Sequence, residues 1–116
     1  MRHEPRDAAY VWDMLEAAKR AYAYAGALSL ESYLADHMAQ AATERVLGII
    51  GEAARHLSAS FREGHPGIPW ASIIGQRNVL AHEYGSIDQT RIWVLVTDRI
   101  PELITQLEDA MPEPPA

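Results

Sequence analysis

The sequence predicts an all-α fold, an antiparallel bundle of four to five helices in one domain. Three observations predict it. Apolar residues recur at alternating spacings of three and four along most of the chain. No run alternates apolar and polar at period two. Glycine and proline gather at a few points, which leaves short connections between long helical runs. At 116 residues the chain suits one domain better than two. Its 48% hydrophobic and 22% charged residues are globular proportions, and no internal repeat is visible.

The elements follow in order. Met14, Ala18, Ala21, Ala25 and Leu28 mark one helical face between Asp7 and Leu28. Pro5 and Asp7 are start signals, and Gly26 predicts an end nearby. Ser29 can cap a helix beginning at Leu30. From Tyr33 to Leu57 there is no proline, and Val46, Ile50, Ala53 and Leu57 repeat the spacing. Gly48 and Gly51 interrupt it, each costing about 1 kcal/mol relative to alanine. They predict close packing against a neighbouring helix or a second subunit. Residues 64–69 (GHPGIP) form the clearest loop. A helix is predicted from Trp70 to about Ala81, with Gly85 and Ser86 breaking the chain. Asp88 can cap the last helix, whose face reads Ile92, Val96, Ile100, Leu103 and Leu107, with Pro101 kinking or interrupting it. The domain is expected over residues 1–110, and residues 111–116 as a flexible tail.

Composition narrows the chemistry. The chain has no cysteine, which excludes disulfides, a thiol nucleophile and cysteine-ligated zinc. The net charge is −6, and the cations are nine arginines and Lys19. The acidic balance argues against a broad basic surface for nucleic acid and leaves room for a small arginine-centred site. No apolar run approaches the ~18 residues of a membrane span. Met1-Arg2-His3-Glu4-Pro5 lacks a signal peptide's apolar stretch, so no membrane association and a cytoplasmic location are expected.

The segment Gln76-Arg77-Asn78-Val79-Leu80-Ala81-His82-Glu83-Tyr84 is the richest in chemistry. On a helix, Arg77 and Tyr84 are nearly eclipsed, whereas His82 stands about 140° round from Arg77. The helix must end near His82 if all three face one cleft, and Gly85 suits such an end. Neutral imidazole can take a proton from a ribose 2′-hydroxyl, and imidazolium can return one to a leaving oxygen. Guanidinium can brace charge on a pentavalent phosphate. Tyr84 can stack on a base, donate a hydrogen bond or accept a modifying group. A purely structural reading stands beside this one: His82 as a helix cap, and Arg77 paired with Glu83 or Glu52.

Other candidates carry less. His3, His37, His56 and His65 lack the i, i+3 or i, i+4 pairing of helical metal ligands, so no metal is expected. Glu44 and Glu52 could orient a base, but pairing with Arg45 and Arg55 is the better expectation. Trp12, Trp70 and Trp93 read as core or interface aromatics.

Three blocks in order resemble the HepT-like toxins of the HEPN superfamily, from about Val11 to Leu107. Residues 43–53 (TERVLGIIGEA) look like the family's long second helix. Ile68-Pro69-Trp70 followed by Arg77 to Tyr84 looks like its R-x4-H-x-Y motif in its usual setting. Ile87-Asp88, Trp93 and residues 100–103 (IPEL) look like its last helix. Gln76 departs from the pattern, where an apolar residue is expected before Arg77-Asn78. The resemblance implies a HEPN-type bundle acting as a homodimer, with two motifs meeting across a composite cleft. It implies the toxin of a toxin–antitoxin pair, a metal-independent endoribonuclease with transfer RNA among the family's targets. Arg77 and His82 would be catalytic, with Asn78 and Glu52 supporting them. No cofactor is expected for catalysis. The expected partner is an MNT-type nucleotidyltransferase antitoxin that moves AMP from ATP to Tyr84. Two alternatives remain: a non-catalytic HEPN module that binds nucleotide or RNA and regulates a partner, and a purely structural helical subunit.

Overall fold

A computed structural model describes residues 6–75 and 87–111. All regular structure among the described residues is helical. The order is α1 (Asp7–Ala21), a π-helical turn (Tyr22–Gly26), α2 (Leu30–Ala35), α3 (His37–His56), α4 (Ala59–Gly64), α5 (helical over residues 70–75), α6 (Gln89–Asp98) and α7 (Ile100–Ala110).

The first helical face behaves as its spacing predicts. Met14, Ala18, Ala21 and Ala25 are buried, and Leu28 packs against the core from its edge. The helix widens into the π turn before it stops. Glycine is needed at 26 because the Tyr22 ring lies over its backbone: a Cβ there would sit 2.7 Å from the ring's Cδ1. The Trp93 indole then donates to the Leu28 carbonyl at 3.0 Å and pins the following turn to α6.

Side-chain caps set the next boundaries. The Ser29 hydroxyl accepts from the Ser32 amide at 3.1 Å. Between Tyr33 and Leu57 the chain is not one helix. Asp36 takes an extended conformation (φ −113°, ψ 92°), and its carboxylate accepts from the Ala39 amide, starting α3 afresh. Val46, Ile50, Ala53 and Leu57 then line the core. Ser58 caps the short helix α4, which the apolar pattern does not mark. The buried Asp7 carboxylate reaches across to Ser58, accepting from its amide at 2.9 Å and its hydroxyl at 2.6 Å. This clasp joins the start of α1 to the end of α3, so those two helices run antiparallel.

Asp88 caps α6 as expected, accepting from the Arg91 amide. The chain turns at Arg99, and Pro101 stands in the first turn of α7, where its missing N–H leaves no hydrogen bond unmade. The proline therefore divides the last helix, and Ile92, Val96, Ile100, Leu103 and Leu107 stay on one buried face across the break. Phe61, Met14 and Leu107 fill the centre.

Two packing expectations are narrowed. Trp12 is 46% exposed, which leaves the interface half of its core-or-interface reading. A Cβ on Gly48 would meet nothing within 4 Å, so no helix among the described residues requires glycine there.

A polar chain crosses this interior. The fully buried Tyr33 hydroxyl donates to Gln89 Oε1 at 2.8 Å, and Gln89 Nε2 donates to Glu44 Oε2 at 2.6 Å. Burial, then the Glu44 carboxylate, pushes the Tyr33 phenol up from 10.0 to about 12. The neutral phenol is the form the fold favours. Its contribution is thus complete below pH 10 and disappears as pH rises through about 12. The wild type should lose on the order of 2–3 kcal/mol over that window. Tyr33→Phe should be about 1 kcal/mol less stable at pH 7 for the lost hydrogen bond. Urea melts across the alkaline range should show a flatter decline for Tyr33→Phe; an equally steep one would remove Tyr33 as its cause.

Candidate functional site

Arg77, Asn78, His82 and Tyr84 lie outside the described residues, as does Gln76. The structure describes both ends from which that segment is held, and it describes Glu52.

The entering end is tied to the core at several points. Ile68 is buried, and the Trp70 amide donates to its carbonyl at 2.8 Å. The Trp70 indole donates to the carbonyls of Arg62 and His65 at 3.2 and 3.0 Å. Its ring meets Phe61 edge-on at 6.2 Å. Helix α5 begins on this support, with Ile73 and Ile74 packed against the core. The leaving end is tied down in the same manner. Ile87 packs against the core, Asp88 caps α6, and Gln89 is held between Tyr33 and Glu44.

Glu44 therefore differs from expectation. Its carboxylate takes the Gln89 amide from another helix rather than pairing with Arg45. The bond is short because the acceptor is charged and its surroundings are partly buried. Neither Gln89 nor Tyr33 stood out in the sequence. Their partnership spans 56 positions, and no local spacing announces it.

Glu52 does pair with Arg55. One of its oxygens, Oε1, accepts from Arg55 Nη2 at 2.9 Å and lies 3.1 Å from His56 Nε2. The hydrogen bond to Glu52 raises the Arg55 pKa above the ordinary arginine value. The His56 ring lies nearly parallel to Tyr10, with centroids 5.4 Å apart. Glu52 thus organises a surface group at the end of α3.

A cleft of about 430 Å³ opens among α3, α5 and the α6–α7 turn. Leu47, Ile50, Ile73, Leu95 and Leu103 make it largely aliphatic, and Arg99 and Glu102 are its ionisable described residues. Nothing in that lining assembles an acid with a base for phosphate chemistry. Among the described residues, no three histidine, aspartate or glutamate side chains form a group that could hold a metal ion. None of the described helices is long and apolar enough to cross a membrane.

Comparison with known proteins gives a consistent result. The family model described as "Ribonuclease HepT-like" matches residues 14–110. "Putative RNase MJ1380" of Methanocaldococcus jannaschii is 33% identical over 100 residues, 86% of this chain and 92% of that protein. "Putative RNase TTE0752" of Caldanaerobacter subterraneus is 38% identical over 84 residues, covering 72% and 75% of the two chains. "Probable ribonuclease HepT" of Thermococcus cleftensis is 33% identical over 99 residues, covering 85% and 90%. No solved structure matches the chain.

Proposed function

The chain belongs to the HepT-like ribonuclease family, and from that premise we propose that it is a metal-independent endoribonuclease, the toxin of a cytoplasmic toxin–antitoxin pair. One observation carries the reading: the family match spans residues 14–110 and so includes the R-x4-H-x-Y segment from Arg77 to Tyr84.

The chemistry follows from the residue types. Neutral His82 takes the proton of a ribose 2′-hydroxyl, whose oxygen attacks the adjacent phosphorus. Arg77 carries the negative charge that builds on the phosphoryl oxygens. As the bond from phosphorus to the 5′-oxygen breaks, protonated His82 returns a proton to that oxygen. The products are a 2′,3′-cyclic phosphate and a 5′-hydroxyl. Asn78 and Glu52 support the pair. A single Arg-His pair is a thin phosphate site in a −6 chain. A homodimer that brings two motifs to one cleft would double the local positive charge. Transfer RNA is the proposed substrate class.

The proposed partner is an MNT-type nucleotidyltransferase antitoxin. The Tyr84 hydroxyl oxygen bonds to the α-phosphorus of ATP, pyrophosphate leaves, and the phenolic proton passes to solvent. The catalytic reading is tested by incubating purified protein with RNA in EDTA. Wild type is expected to cut and His82→Ala not. Equal cutting by both rejects the assignment. RNA bound but never cut by wild type would favour the regulatory binding module that the acidic balance also fits.

A further inference from the structure

The RNA chemistry leaves the cleft among α3, α5 and the α6–α7 turn without a role. Its volume of about 430 Å³ lies within the range of small-molecule sites. The walls are largely aliphatic, and Ile73 and Leu95 stay only half-buried although both pack against the core. No aromatic ring stands among its described lining residues, so these offer a nucleobase nothing to stack on. A compact aliphatic guest suits such walls better than a nucleotide does.

The polar groups of the lining narrow the guest further. Gln106 is already engaged: its side-chain amide donates to the Gly67 carbonyl at 2.9 Å and ties α7 to the loop before α5. Arg99 and Glu102 differ. Both are exposed, three positions apart where α7 begins, and among the described residues neither forms an ion pair. Glu102 has a local reason for its place, since a first-turn carboxylate suits a helix N-terminus. Arg99 has no such electrostatic reason, because the same helix end disfavours a cation. The cation and the anion on this wall sum to no net charge. A plain carboxylate or phosphate would be drawn to Arg99 and repelled by Glu102, and a plain amine the reverse. A guest that carries both charges suits both side chains.

We propose that this cleft binds a free aliphatic α-amino acid of leucine's size. The carboxylate of the guest meets the Arg99 guanidinium, and its ammonium meets the Glu102 carboxylate. The branched side chain lies against Ile73, Leu95 and Leu103. Arg99 and Glu102 stand within one helical turn, and a single carbon joins the two charged groups of an α-amino acid, so one guest reaches both. The site performs no chemistry, and its ligand is independent of RNA cleavage.

Calorimetry of the full chain with L-leucine tests this, against three analogues that each lack one feature. Isocaproate lacks the ammonium, leucinamide the carboxylate, and glycine the side chain. Leucine should bind, and each analogue should bind at least about tenfold more weakly. Arg99→Ala should weaken leucine binding about tenfold and abolish its advantage over leucinamide. Glu102→Gln should abolish the advantage over isocaproate. Leucine at about ten times its Kd should raise the melting temperature of the wild type by about 5 °C, and that of either variant by less at the same concentration. Melts without ligand check that both surface variants fold. No heat and no melting shift with leucine in folded wild type would overturn the proposal. So would isocaproate or leucinamide binding as tightly as leucine, or folded Arg99→Ala binding leucine as well as the wild type does.

Discussion

Coexpression with the proposed nucleotidyltransferase antitoxin should add AMP, in whole nucleotide units, to a peptide containing Tyr84 and silence RNA cleavage. The expected effect is near complete because three consequences coincide. The phosphodiester brings negative charge to the place where an RNA phosphate must sit. It competes for Arg77, which can pair with only one phosphoryl group well. The adenosine adds bulk two positions along the chain from His82. In a chain of net charge −6, with few cations to compensate, one added phosphate weighs more than it would on a basic nuclease. Mass spectrometry of the neutralised complex reads the modification directly. Tyr84→Phe should remain unmodified and escape silencing. An unmodified Tyr84 peptide from a fully neutralised complex would refute this mechanism.

His82→Ala should lower the cleavage rate by about 10²–10⁴-fold, the usual worth of a positioned general acid and base. The thiol route is closed, because the chain has no cysteine. Arg77→Ala should cost about 10²–10³-fold through lost charge stabilisation. The two effects should fall short of additive, because both residues act on one transition state. Circular dichroism and gel filtration of each variant separate lost chemistry from lost structure. A variant that cuts poorly because its dimer dissociates would support the structural reading of Arg77 and His82. An intact dimer that cannot cut supports the catalytic one. A loss below about threefold in either folded variant would remove that residue from the mechanism.

Much of the fold was legible because local signals and global packing agree. Ser29 and Asp88 stand directly before apolar-periodic runs, and both cap the helices they announce. Pro101 divides the last helix while Ile92 through Leu107 keep one face, since a proline in a first turn costs no hydrogen bond. The break at Asp36 was harder to read. Its cap is as good as Ser29's, but no glycine or proline marks it, and the apolar spacing resumes beyond it. The short helix α4 hides for the same reason: one buried residue, Phe61, is too few for a period.

The proposed site rests on signals of another kind. Arg77, His82 and Tyr84 stand out by residue type and order alone, and all three lie outside the described residues. What supports their segment does not stand out in this way. Gln89 meets Glu44 and Tyr33 across 45 and 56 positions, and only folding brings them together. Glu52 shows the middle case. Its pairing with Arg55 is local and predictable, whereas the Tyr10–His56 stack beside it depends on two antiparallel helices meeting in one register.

Metal-free cleavage through the ribose 2′-hydroxyl would leave its signature on the ends of the products. Purified protein should be incubated with unstructured RNA in EDTA and the fragments weighed. The upstream piece should carry a 2′,3′-cyclic phosphate, or the 3′-phosphate it hydrolyses to, and the downstream piece a 5′-hydroxyl. A 5′-phosphate beside a free 3′-hydroxyl, or cleavage that stops when EDTA is added, would contradict it.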